Sequence, residues 1–219
     1  MTKHKFTDSE LYESRFGFRE ANSSFRFYVV LLAILLFFIG FRIYFENTFG
    51  GVVVDGPSMK NTLQSGDELL MRYLKDGEQA SRGDVIVVDV RKYRQDSSTQ
   101  FLIKRLIATE GDKVYCTDGQ VYVQYQGTTE FVALDEPYAR YVDAKAYDFE
   151  TYTVGEGEIF FLGDNRNYSC DSRYHDYPSG SSLSNGLYKE EDIYGVVPAW
   201  AIEKKDALSF LFFAQHISE

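Results

Sequence analysis

The sequence predicts a mainly β protein, in which a single N-terminal membrane-spanning helix precedes a β-rich domain. Three observations predict it. One uncharged apolar run, Phe27 to Phe41, lies near the start. Short β-branched and aromatic runs, separated by turn residues, fill most of the remainder. No stretch after the apolar run repeats at helical period long enough for a second substantial helix.

Taken in order, residues 1–24 read as a polar tail. The span is placed at 25–45, which is 21 residues with Arg26 and Arg42 near its ends. Both arginines can snorkel toward lipid head groups. At ~1.5 Å per residue this length matches the ~30 Å hydrocarbon core. A cleaved leader is the alternative, but no A-x-A-like site follows Phe41. A buried core helix would show one apolar stripe, whereas this run is apolar all round. Lys3, Lys5, Arg15, Arg19 and Arg26 precede the run, and Arg42 is the only cation after it until Lys60. The positive-inside rule therefore puts the N-terminus in the cytoplasm and residues 46–219 outside, a single pass of the cytoplasmic membrane.

The outward part, roughly 173 residues, suits one domain with a real core. Its expected strands are Val52–Val54, Asp84–Val90, Phe101–Ala108, Val121–Tyr125, Ile159–Leu162 and Ile193–Val197. Asp76-Gly77, Asp118-Gly119 and Asn185-Gly186 mark turns between segments. Residues 126–158 are rich in Tyr and acid and read as an insertion or extended loop, and 175–190 as a second loop. The apolar Leu208–Phe213 is too short to span, and packing on the domain is expected. Cys116 and Cys170 both fall outside, where disulfides persist, but spacing does not say whether they pair.

Composition narrows the function. A net charge of −10 lacks the basic surface a nucleic-acid partner needs. The 18 Phe and 17 Tyr supply a core and suit a lipid interface. There are three histidines, of which only His175 lies where a Ser-His-Asp triad could use it. No H-E-x-x-H or C-x-x-C occurs, so neither a metal nor another cofactor is expected.

A serine nucleophile must then use another base. Lysine serves when neutral, and apolar burial disfavours its charged form. Lys104, inside Phe101-Leu102-Ile103-Lys104-Arg105-Leu106-Ile107, is the candidate by pattern, although a lysine there can also snorkel out or pair with an acid. Ser58, in Gly56-Pro57-Ser58-Met59, is a possible nucleophile, although serine after proline is common in turns. A polar run, Gly163-Asp164-Asn165-Arg166-Asn167-Tyr168-Ser169-Cys170-Asp171-Ser172-Arg173, follows the apolar Ile159–Leu162. Turn chemistry does not explain so many hydrogen-bonding groups at one strand end.

Together these segments resemble the type I signal peptidases, membrane-anchored serine–lysine proteases of peptidase family S26. Gly56–Leu63 looks like the nucleophile box, Arg82–Val88 like the next strand box, Lys104–Asp112 like the general-base box, and Gly163–Arg173 like the last. The resemblance covers about residues 25 to 200. It implies a signal-peptidase-type catalytic domain that cleaves secreted preproteins at the outer membrane face through an acyl-enzyme. By the resemblance, Ser58 is the nucleophile and Lys104 its base, and Ser169 orients the lysine amine. Met59 lines the substrate cleft. Arg105 with Asp164, and Asp171 with Arg173, form supporting ion pairs. The backbone N–H of Ser58 donates to the oxyanion. Some relatives add a hydroxyl two residues before the nucleophile, where this chain has Gly56. The family usually has Pro where this chain has Asn61, which is expected to alter substrate fit rather than abolish activity. Two rival readings are a non-catalytic assembly factor on the same scaffold and a self-cleaving DNA-binding regulator. The first makes Ser58 and Lys104 dispensable, and the second needs a DNA-binding domain.

Overall fold

The computed structural model describes residues 8–93, 100–141, 147–173, 187–205, 215 and 216. His175 and the apolar segment 208–213 lie outside the described residues. The chain divides into two compact units, Met1–Asn47 and Thr48–Glu219.

The first unit is built on helix α1, Asp8–Thr48. It is longer than the expected span and takes in most of the expected tail, because no proline occurs before Pro57 to break it. Its segment Ser24–Thr48 is long and apolar enough to cross a membrane, and no residue of its most apolar 18-residue stretch is buried. Leu31, Leu36, Phe37 and Phe41 are all exposed. A helix that is apolar all round is suited to lipid. Near its end, Arg42 pairs with Glu46 one turn on, at 2.9 Å.

The second unit is β-rich. Its strands are β1 Phe49–Val53, β2 Glu68–Tyr73, β3 Val85–Asp89, β4 Phe101–Thr109, β5 Lys113–Thr117, β6 Gln120–Gln124, β7 Val132–Ala133, β8 Phe149–Thr153, β9 Glu158–Leu162, β10 Tyr188–Lys189, β11 Ile193–Val197 and β12 Gln215–His216. One short helix, α2 Ala199–Glu203, follows β11. Eight strands form one sheet in the order β10-β9-β4-β3-β11-β2-β1-β12, and β7-β6-β5-β8 form the other. Among the described residues the strands of these sheets pair antiparallel, except β1 with β12, which is parallel.

Each sheet carries its own core. Ile86, Val88, Leu102, Leu106 and Phe161 belong to one buried cluster, and Ile107, Val114, Val121, Val123, Phe160 and Leu162 to the other. Strands β4 and β9 feed both clusters because successive side chains leave a strand on opposite faces. That explains their nearly continuous apolar sequences. The β5–β6 hairpin turns on Asp118-Gly119, both at positive φ (48° and 76°), as a two-residue primed turn requires. The segment 126–158 is not a bare insertion, since β7 and β8 flank the β5–β6 hairpin and complete the second sheet. No disulfide joins Cys116 and Cys170. Burial, with Asp148 adding to it, pushes the Cys116 thiol up to about 12.

Candidate active site

Three segments converge: the turn after β1, the middle of β4 and the loop after β9. The turn is fixed by its own backbone. Lys60 N–H donates to the Pro57 carbonyl (2.9 Å), and the N–H groups of Thr62 and Leu63 both donate to that of Met59 (3.0 and 2.8 Å). Gly56 enters it at φ 98°, a region that glycine reaches without strain.

Within this frame the Lys104 Nζ lies 2.8 Å from Ser58 Oγ and 2.9 Å from the Ile103 carbonyl, to which it donates. Both side chains are buried, Lys104 at 1% exposure. Lys104 is held in mid-strand, opposite Ile86 of β3, so its position is set by the sheet rather than by a loop.

The loop after β9 grips the turn. Asn165 N–H donates to the Ser58 carbonyl (2.8 Å), and Asn165 Nδ2 donates to the Pro57 carbonyl (2.9 Å). Arg105 and Asp164 form a bidentate ion pair at 2.8 and 2.7 Å, and Thr62 Oγ1 donates to the same carboxylate at 2.5 Å. Arg105 also donates to the Gly83 carbonyl, which ties in the turn before β3. Asp171 pairs with Arg173 through both oxygens (2.8 and 2.9 Å) and accepts from Gly163 N–H (3.0 Å). Below β4, buried Asp112 takes a bidentate pair from Arg82 (2.6 and 2.8 Å).

Ser169 and Met59 sit differently from the arrangement that the resemblance implies. Ser169 does not hydrogen-bond the Lys104 amine, and its Oγ is buried without a hydrogen-bond partner. It is packed against Gly163 at the point where any other residue would carry a Cβ. Met59 is completely buried among the described residues. The turn winds it inward, and the cleft of about 460 Å³ beside the turn is lined by Asp55, Gly56, Pro57, Lys60, Gln64 and Ser65.

Sequence reasoning missed three supporting residues. Asn165 and Arg166 lie inside the Gly163–Arg173 run without an assigned part, and Glu136 lies in the presumed insertion. Arg166 is almost fully buried, donates to the Gly163 carbonyl (3.1 Å) and to Tyr141 (2.8 Å), and pairs with Glu136. Arg166 and Asn165 stood in the run that drew attention for its hydrogen-bonding groups. Nothing local pointed to Glu136.

A hydroxyl held against a buried lysine amine is the arrangement of a serine hydrolase that uses lysine where others use histidine. The family model described as signal peptidase, peptidase S26, matches residues 24–201. The chain belongs to that family of hydrolases, which cleave signal peptides from preproteins. It is 33% identical over 127 residues to signal peptidase I of Bacillus licheniformis, over 55% of this chain and 64% of that protein. It is 29% identical over 176 residues to signal peptidase I U of Bacillus subtilis (strain 168), over 76% of this chain and 80% of that protein. The crystal structure of a signal peptidase I from Enterococcus faecalis V583 aligns at a TM-score of 0.40 and 28% identity, covering 55% of this chain and 98% of that one.

Proposed function

We propose that this protein is a membrane-anchored signal peptidase whose nucleophile is Ser58 and whose general base is Lys104. The 2.8 Å separation of Nζ and Oγ, both buried, carries the proposal. A neutral lysine amine has two N–H donors and one lone pair. With one donor on the Ile103 carbonyl, a neutral Nζ has its lone pair and its second N–H left, and turning the lone pair to Ser58 lets it accept the hydroxyl proton over the same 2.8 Å. Ser58 Oγ attacks the scissile carbonyl carbon while its proton passes to Nζ. The oxyanion is met by the Ser58 backbone N–H. The ammonium then returns its proton to the departing amine of the mature protein, leaving the signal peptide as an ester on Ser58. Water hydrolyses that ester, with Lys104 again taking the proton.

Arg105 with Asp164, and Asp171 with Arg173, keep the turn and the loop in register. The substrate is a secreted preprotein whose cleavage segment binds extended, adding a strand to a sheet edge. The span lies in lipid with the N-terminus inside and residues 46–219 outside, so enzyme and signal peptide share one membrane face. The net charge of −10 accords with a peptide rather than a nucleic-acid partner.

The test mixes detergent-solubilised protein with a preprotein and sequences the new N-terminus. Ser58→Ala and Lys104→Ala are each expected to abolish the cut without unfolding the domain, and activity in either variant refutes the assignment. A lysine base works only unprotonated, so the rate should fall toward acid. A rate flat from about pH 5 to 9 speaks against it.

A further inference from the structure

The nucleophile turn and the loop after β9 do not hold each other alone. A third segment, Glu136–Arg140, contacts both. Its Tyr138 carbonyl accepts from Asn61 Nδ2 at 3.0 Å, three residues beyond Ser58. The Tyr138 ring lies 3.8 Å from the Arg105 guanidinium, covering the Arg105–Asp164 pair. Arg140 N–H donates to the Asp164 carbonyl (2.7 Å), and Arg166 N–H donates to the Arg140 carbonyl (3.0 Å). Those two bonds bracket Asn165, which binds the carbonyls of Pro57 and Ser58. Glu136 closes the segment by its buried pair with Arg166.

We propose that Glu136–Arg140 is a strap that sets the nucleophile's position, with Tyr138 its principal positioning residue. This rests on Ser58 and Lys104 being the reacting pair. Arg105 follows Lys104 on β4, so the ring that seats Arg105 also fixes the strand beside the base. The Tyr138 backbone meanwhile anchors the turn that carries the nucleophile. One segment therefore references both reacting side chains to each other. Acyl transfer is sensitive to such placement, since a shift of about 1 Å can cost about 100-fold. The Tyr138 hydroxyl donates only within the strap, to Glu136 at 3.2 Å, and the contact with Arg105 is made by the ring, so the ring should matter more than the hydroxyl.

The experiment compares Tyr138→Phe, Tyr138→Ala, Asn61→Ala and the Tyr138→Ala/Asn61→Ala double variant, cleaving a preprotein in detergent, with Ser58→Ala as control. Tyr138→Phe should keep kcat within about twofold, whereas Tyr138→Ala should lower kcat about 10- to 100-fold with KM little changed. The double variant should lose less than the product of the two single losses, because both cut one linkage. Should Tyr138→Ala fail to fold, Tyr138→Leu and the Asn61→Ala single variant read the same linkage. Wild-type kcat in Tyr138→Ala or Tyr138→Leu overturns the strap. So does a loss confined to KM, or strictly multiplicative losses. Cleavage by Ser58→Ala instead overturns the catalytic assignment and is recognisably different from these.

Discussion

At Gly163 a methyl group would sit 2.1 Å from Ser169 Oγ and 2.7 Å from the Ser58 carbonyl oxygen. The Ser169 hydroxyl can rotate away, but its Cβ, at 2.5 Å, does not move with that rotation, and the contact with the carbonyl is backbone and belongs to the proposed nucleophile. Gly163→Ala must therefore displace either the turn or the loop. Overpacking of this kind costs about 1–3 kcal/mol in stability, and kcat should fall about 100-fold because the shift acts on Ser58. Unfolding by denaturant and steady-state kinetics on the same variant would check both effects. Normal turnover would mean that Ser58 is not positioned through this contact. Asn61 is a second constrained site. It holds φ 123°, which a proline ring locked near −65° does not reach. Its backbone and its bond to Tyr138 show how this chain shapes the turn without the usual proline.

Elements differ in how far they could be read from sequence. Strands β3, β4, β9 and β11 announce themselves because they are central, paired on both sides, and dense in Val, Ile and Phe. β2, Glu68-Leu69-Leu70-Met71-Arg72-Tyr73, contains no β-branched residue and gives no strand signal of its own. Its strand form comes from pairing between β1 and β11, which is tertiary. β5 and β8 are faint in the sequence for a similar reason, since each is short and mixed in polarity. Ser58, Lys104, Arg105, Asp164, Asp171 and Arg173 were legible as motif residues, and the structure brings them together. The strap was not legible, because each of its bonds joins residues far apart in sequence. Asp112 shows how much one turn residue can carry. Besides Arg82, it accepts from the N–H groups of Thr109 and Gln126 (both 2.9 Å), closing β4 onto the second sheet. Asp112→Ala leaves buried donors unmet and should cost about 3 kcal/mol, read as a lower denaturant midpoint. A change below about 0.5 kcal/mol would show that the turn holds without it.

For the whole β-rich unit, the many tyrosines set an alkaline limit. Burial pushes the hydroxyl of Tyr141 up to about 12, and burial together with the hydrogen bond that it donates to Asp192 does the same for the hydroxyl of Tyr93. Burial also raises Tyr138, Tyr147 and Tyr152 above their ordinary value. In the unfolded chain each ionises near ~10. A raised folded value means that the neutral phenol is favoured by the fold. That contribution is complete below ~10 and is lost as pH rises toward about 12, because the unfolded state then releases protons that the folded state retains. Five such groups act in the same direction, so their contributions to the loss add. The denaturant midpoint of the solubilised protein should hold from about pH 7 to 9 and then fall steeply through about pH 10 to 12. Phenolate absorbance should rise in step with unfolding rather than ahead of it. Gradual ionisation of these tyrosines near pH ~10 in a domain that remains folded would show that they are not sealed from solvent.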